Sequence, residues 1–511
     1  MIRSFLTVSS GTLASRLLGF VRDSVIAALL GAGPVADAFL AAFQLVNVVR
    51  RLLAEGALNA ALVPAWLEVR EADGATAASA FAGRVLGTVS AAVIAAALAL
   101  GFLMPLVIAA IAPGFVGRDT LQFAVDNARL MLPYLAFAGP VTVMMGLLNA
   151  QGRFAMPAFS PLLFNVALIA VMVGLLARRE DPVQAALVMA ATVGVAGLLQ
   201  LSMLALRSGK LASPLRVSFD SEMRRFLGRA IPGMLASTAP QWLMVAGTVI
   251  ASSSPSAVSW LYFANRLLEL PLGIVGVAMG MVLIPEMTRA VRGGDHAAIA
   301  RAESRGLELA AGLALPSTLG LIVLSGPIAR VLFERGAFTA TDTAATAQAL
   351  TWLTLALPAH VLVKVLSPAF YAREDTLTPL LATLKAIVVA IAAAFLLGRL
   401  FGANGIAAGI ALGAWSNALS LIGKGAATFG FAIDADARRR LPRILAAALA
   451  MGAVLWLAAT ALPTAAHGVL QALSLLLLIS GGMAIYGLLL QLFGVAGWRE
   501  AANAIRQKPT A

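Results

Sequence analysis

The stretch SRLLGFVRDSVIAALLGAG, residues 15–33, has the apolar content of a helix meant for lipid, yet it carries Arg16, Arg22 and Asp23 among its leucines and valines. An ionised side chain at mid-bilayer costs roughly 2.5–3.5 kcal/mol on insertion scales. Three of them in one span therefore need a reason. The rest of the chain confirms that lipid is the solvent. Sixty per cent of its 511 residues are apolar, 12% are charged, and the mean hydropathy is +0.91. A soluble chain carries about 25% charged residues.

About fourteen runs are long and apolar enough to cross a bilayer, for which roughly 20 helical residues suffice. They fall near residues 5–29, 35–64, 78–110, 121–150, 157–177, 184–206, 224–250, 256–287, 303–333, 345–371, 377–400, 404–430, 444–463 and 468–497. Backbone in lipid must satisfy its own hydrogen bonds, so these runs are predicted to be helices. The expected class is an all-α polytopic membrane protein. The charged residues inside the first run argue for a retained first helix rather than a cleaved leader. Cations such as Arg70, Arg153, Arg216, Arg373 and Arg438–Arg440 collect in alternate loops, which places both termini in the cytoplasm.

An internal repeat recurs at an offset of about 221–222 residues. FLTVSSGTLAS from Phe5 returns as FLGRAIPGMLAS from Phe226, and LVPAWLEVREADG from Leu62 returns as LIPEMTRAVRGGD from Leu283. LNAQGRFAMP from Leu148 returns as FYAREDTLTP from Phe370. Each unit holds an even number of spans, so the two enter from the same side. That predicts two parallel six-helix lobes, residues 1–215 and 216–435, around a central cavity, with two extra helices and a tail in 436–511. Such a layout suits a transporter.

Several chemistries are excluded by composition. There is no cysteine, and His296, His360 and His467 are scattered, so no metal site and no thiol chemistry are expected. No Walker, GxSxG or HExxH motif occurs; no catalytic residue or cofactor is expected, and the chain is not read as an enzyme. The net charge of +13 sets topology rather than binding nucleic acid, since no basic module with interleaved aromatics is present. GAFTATD, from Gly336, reads as an outward loop and turn.

The buried charges carry the functional reading. At about 100° per residue, Arg16 and Asp23 nearly eclipse on the first helix, and Asp37, Gln44, Arg51, Glu55 and Asn59 of the second fall within about 40° of one line. Such a stripe faces water or another polar stripe. Arg50 points elsewhere, toward a different helix or around a bend. Arg266 and Glu269, spaced i, i+3, can pair, and Gly273, Gly276 and Gly280 follow them. Lys364 and Lys385 add two more cations. Buried pairs that merely join helices are one reading of this set. Against it, Arg16, Arg22, Arg50, Arg51 and Arg266 outnumber Asp23, Asp37, Glu55 and Glu269, and the first-lobe charges do not recur in the repeat, where Arg16 aligns with Thr238. An arginine excess calls for an external anion, and guanidinium forks suit phosphate. No charge occurs between Arg443 and Arg499, so the last two spans either face lipid or wall an apolar tail.

SRLLGFVRDSVIAALLGAGPVADAFLAAF and NVVRRLLAEGALNAALVP resemble the opening of the MurJ (MviN) family of lipid II flippases. NRLLELPLGIVGVAMGMVLIP, LFERGAFTATDT and KVLSPAFYAREDTLTP extend the likeness along nearly the whole chain. The resemblance implies the multidrug/oligosaccharidyl-lipid/polysaccharide exporter fold, with an extra helix pair lining a hydrophobic groove. It implies transport of lipid II, the undecaprenyl-pyrophosphate-linked peptidoglycan precursor, from the cytoplasmic to the periplasmic leaflet of the bacterial inner membrane, by a protein expected to act as a monomer. The family's essential cavity arginines match Arg16, Arg22, Arg50 and Arg266, and its acids match Asp23 and Asp37. A flippase for another polyprenyl-linked oligosaccharide shares the same physics. The acids of some sodium-dependent relatives are missing here: span 7 has none and span 11 carries Lys385, so membrane potential or a proton is the expected coupling.

Overall fold

The computed structural model describes residues 2–54, 57–208, 211–237, 239–278, 289, 293, 296–371, 373, 375–429, 434–461 and 468–495. Among them the chain is helical apart from short connections, and no strand is present. The first helices are α1 (Ile2–Leu30), α2 (Pro34–Ala54) and α3 (Ala57–Ile111), followed by α4 (Asp119–Ala150), α5 (Ala155–Arg178) and α6 (Pro182–Ser208). Next come α7 (Ser221–Ser237), α8 (Ala239–Ala251), α9 (Ala257–Ala278), α10 (His296–Val323), α11 (Ser325–Phe333) and α12 (Ala340–Thr354). The last are α13 (Leu357–Tyr371), α14 (Leu377–Phe429), α15 (Ala435–Ala461) and α16 (Val469–Leu492).

Among the described residues every one of the expected spans falls on helix, and nine helical segments are long and apolar enough to cross a membrane. The protein is an all-α polytopic membrane protein. The boundaries differ in instructive ways. The polar stretch after span 2 stays helical, so α3 continues into span 3 with a break at Gly74 (φ 86, ψ 179). In α14 the break is at Gly402 (φ 55, ψ −135), a conformation that glycine alone adopts cheaply. Beyond it, Gly409 and Gly413 lie so close to Ala394 and Ala390 that a side chain would collide with them. Small residues let two membrane helices approach to backbone contact, where dispersion rather than the hydrophobic effect holds them.

Two compact units divide the chain: unit 1 holds Met1–Ser259 and Arg335–Thr339, and unit 2 holds Trp260–Glu334 and Ala340–Ala511. In unit 1, α4 packs against α2, α3 and α6, and α5 against α1 and α6. Its core joins Leu58, Leu62 and Trp66 of α3 to Val143 and Leu147 of α4 and to Met223 and Phe226 of α7. Phe81 and Phe226 meet edge to face with centroids 6.1 Å apart. The Gly336 stretch forms a turn, as expected, and its Ala337 amide donates to the Ala28 carbonyl at 2.8 Å. In unit 2, α10 packs on α13 and α15, α13 on α14, and α15 on α16.

Candidate functional site

The first helix buries Arg22 and Asp23 by pairing them. Asp23 is fully buried and Arg22 nearly so. Neighbours on a helix point about 100° apart, but the long arginine stem folds back to its neighbour. Arg22 Nε and Nη2 donate to Asp23 Oδ1 at 2.9 and 2.7 Å. Arg22 Nη1 donates to Asn165 Oδ1 of α5 at 3.1 Å, and Asn165 Nδ2 donates to the Ser15 carbonyl at 3.1 Å. The guanidinium also lies 5.0 Å from the centroid of Phe43, which stacks on Phe39. Fork, carboxylate, amide and ring fix the orientation of Arg22. Arg16 is different: it is exposed, with no hydrogen-bond or ion-pair partner among the described residues. The eclipsed positions of Arg16 and Asp23 do not make a pair; Asp23 bonds Arg22 instead.

The stripe on α2 faces another polar stripe. Gln44 Oε1 accepts from the Thr248 hydroxyl at 2.6 Å. Asp37 accepts from the Ser256 amide at 2.8 Å, the Ser259 amide at 2.9 Å and the Ser259 hydroxyl at 2.5 Å. That arrangement caps the first turn of α9, where orphan amides need an acceptor. Asp37, one of the acids counted against the arginines, thus takes serines as its hydrogen-bond partners. Farther along α2, Arg50 and Arg51 are half-buried, and Arg50 Nε donates to Asn47 Oδ1 at 3.3 Å. Glu55 lies outside the described residues.

In unit 2 the expected i, i+3 pair forms: Arg266 Nη1 donates to Glu269 Oε2 at 2.7 Å, with Asn265 Nδ2 3.5 Å from Glu269 Oε1. One turn on, the Leu272 carbonyl accepts from Lys364 Nζ at 3.3 Å, and Lys385 Nζ reaches Ser420 Oγ at 3.2 Å. Both lysines remain exposed.

Sequence reasoning missed Asn165, Phe43 and the serines that Asp37 caps. Asn165 had a readable signal, because an amide inside the apolar run PLLFNVALIAV needs a partner in lipid. SSSPSAVS, ahead of α9, reads as a helix start, but the sequence does not say whose carboxylate meets it. No cluster of groups able to hold a metal occurs among the described residues. Among the described side chains, α1 thus carries one oriented, charge-compensated guanidinium, that of Arg22, and one exposed guanidinium, that of Arg16.

A family model described as lipid II flippase MurJ matches residues 26–477. A probable lipid II flippase MurJ of Rhizobium meliloti (strain 1021) is 37% identical over 507 residues, covering 97% of this chain and 94% of its own. The lipid II flippase MurJ of Burkholderia cenocepacia is 34% identical over 431 residues, covering 82% of this chain and 83% of its own. A solved lipid II flippase MurJ in an inward closed conformation superposes with a TM-score of 0.79 at 23% identity, over 96% of this chain and 98% of that one. An inward-facing multidrug transporter of the MATE family superposes with a TM-score of 0.63 at 16% identity, over 84% of this chain and 95% of that one. At these identities the two structures speak for the fold.

Proposed function

This chain belongs to the MurJ family of lipid II flippases, and on that premise we propose that it carries lipid II from the cytoplasmic to the periplasmic leaflet of a bacterial inner membrane by alternating access. Arg16, Arg22, Arg50, Arg51 and Arg266 grip the pyrophosphate, while Asp23, Asp37, Glu55 and Glu269 balance their charge when no substrate is bound. The repeat-based division into lobes 1–215 and 216–435, with 436–511 appended, both termini in the cytoplasm, and action as a monomer belong to the same reading. The protein is a carrier rather than a catalyst: no bond of the substrate is broken.

The observation that supports it most is the contrast on α1. Arg22 is held by Asp23, Asn165 and Phe43, so its orientation costs nothing further when an anion arrives. Arg16 is on the same helix and exposed. A lone arginine exposed on a spanning helix is expensive against hydrocarbon and is expected to face water or an anion. Pyrophosphate supplies a counter-charge, and bidentate forks match its oxygens.

Flipping of labelled lipid II in proteoliposomes tests this, comparing wild type with Arg16→Ala and Arg266→Ala under an imposed membrane potential. Loss of flipping in both variants, with normal incorporation into the bilayer, is expected. Flipping unchanged in both would make these arginines structural. Absence of flipping by wild type, with transport of another polyprenyl-pyrophosphate sugar, would transfer the same mechanism to that substrate.

A further inference from the structure

Between α6 and α7 the chain runs LASPLRVSFD, residues 211–220, without helix. Its backbone lies along α3. The Ser213 amide donates to the Ser79 carbonyl at 3.3 Å and the Arg216 amide to the Gly83 carbonyl at 3.4 Å. The Ser218 amide donates to Thr88 Oγ1 at 3.0 Å, whose hydroxyl is 3.2 Å from the Ser218 carbonyl. Gly83 and Gly87 have no room for a side chain because the backbone of Pro214 and Arg216 occupies it. The ends are anchored as well: Ala212 and Met223 join the core around Phe81 and Phe226, and Arg84 pairs with Asp220 and Glu222. This connection is pinned over its length.

What it presents outward is apolar. Leu215, Val217 and Phe219 are 64, 57 and 62% exposed, at a spacing of two residues that puts them on one side of an extended chain. Arg216, Arg224 and Arg225 are exposed beside them. Fixing three large apolar groups into water has no physical reward. The depth of the segment removes the paradox. Ser79, Gly83 and Thr88 belong to the opening turns of span 3, and at 1.5 Å per residue they cover only about 13 Å along the helix. The segment also begins within a few residues of the end of Pro182–Leu206, a stretch of α6 long and apolar enough to cross a membrane, which is where acyl chains give way to headgroups.

We propose that residues 215–219 form an interfacial anchor, with Leu215, Val217 and Phe219 inserted at the acyl boundary and Arg216, Arg224 and Arg225 bound to anionic lipid headgroups. The occupant is the membrane surface itself: apolar side chains flanked by arginines match an apolar layer under a negative one. The anchor ties α3 and α7 to the bilayer at a fixed height. It is independent of what the protein transports.

The chain contains no cysteine, so single replacements give unique labels. Leu215→Cys, Arg216→Cys, Val217→Cys and Phe219→Cys, each spin-labelled in the full-length protein in phosphatidylglycerol-containing vesicles, are compared for collision with oxygen and with a water-soluble nickel complex. The labels at 215, 217 and 219 are expected to favour oxygen and the label at 216 to favour nickel. Equal access of nickel to all four would place the segment in water and overturn the anchor. Protection from both reagents would mean that protein covers the stripe, a second copy included, and would overturn it equally. Replacing phosphatidylglycerol by phosphatidylcholine, or making Arg216→Gln, Arg224→Gln and Arg225→Gln together with Phe219→Cys, is expected to move the 219 label toward water. An unchanged depth in both would overturn the headgroup assignment.

Discussion

Arg22 shows how a membrane helix accommodates a charge: it supplies the counter-ion from the next residue and the remaining donor's partner from another helix. Asn165 is the inferred positioning residue, since it links the Arg22 guanidinium to the Ser15 carbonyl. Asn165→Leu is expected to leave the Arg22–Asp23 bond but free one guanidinium N–H, at a cost of about 1–3 kcal/mol. Lipid II flipping should fall further than thermal stability in detergent does, and Asn165→Asp should recover part of it by restoring an acceptor. A variant with normal flipping and lowered stability would reduce Asn165 to a packing role. Asp37 makes the opposite prediction. Its carboxylate receives three hydrogen bonds at the start of α9, so Asp37→Ala should cost about 2–5 kcal/mol, read as a lowered unfolding midpoint. Asp37→Asn, which keeps one acceptor oxygen, should lose less. Equal stability of Asp37→Ala and wild type would contradict the capping role.

Helix ends were the least legible elements, because caps and breaks are settled by what lies against them. Gly31 ends α1 with a φ of +64, and an added Cβ would strike the Ala337 carbonyl. Gly117 has a φ of +79 but open space around it. Gly117→Ala should therefore cost about 1 kcal/mol of conformational strain, and Gly31→Ala distinctly more, about 2–4 kcal/mol. Unfolding midpoints measured side by side decide this; a larger loss in the Gly117 variant would refute the contact. At the start of α7, the Asp220 carboxylate accepts the Met223 amide at 2.8 Å and the Ser218 hydroxyl at 2.8 Å, which hold its pKa below the ordinary carboxylate value. Because the folded value is the lower one, the cap's stabilisation is complete above the ordinary value of about 4 and fades as pH falls through the depressed one. The midpoint difference between wild type and Asp220→Ala should correspond to about 1 kcal/mol at neutral pH and close in acid. A gap that widens in acid would reverse the assignment.

At the scale of the whole molecule, coupling is the open quantity, and the charges bear on it. Span 7 has no acid and span 11 carries Lys385 bonded to Ser420, which disfavours a sodium site there. Replacing sodium by potassium should change lipid II flipping by less than about twofold, below 0.5 kcal/mol in barrier, whereas a tenfold loss would call for a sodium site elsewhere. The all-α membrane class, the positions of the spans and the arginine excess were all determined by sequence alone. Lipid makes each of these a local property: hydropathy over about 20 residues selects a helix, and an ionised residue inside such a run stands out whatever surrounds it. Even the Arg266–Glu269 pair was legible, because both partners sit on one helix. Tertiary structure alone decided which partner each of the other buried charges takes. The sequence aligned Asp23 with Arg16, but the fold pairs it with Arg22; it set Asp37 in a stripe with Arg51, but the fold brings up Ser256 and Ser259. Hydrogen bonds reach only about 3 Å, so a donor more than a hundred residues away becomes a partner only after the helices have packed.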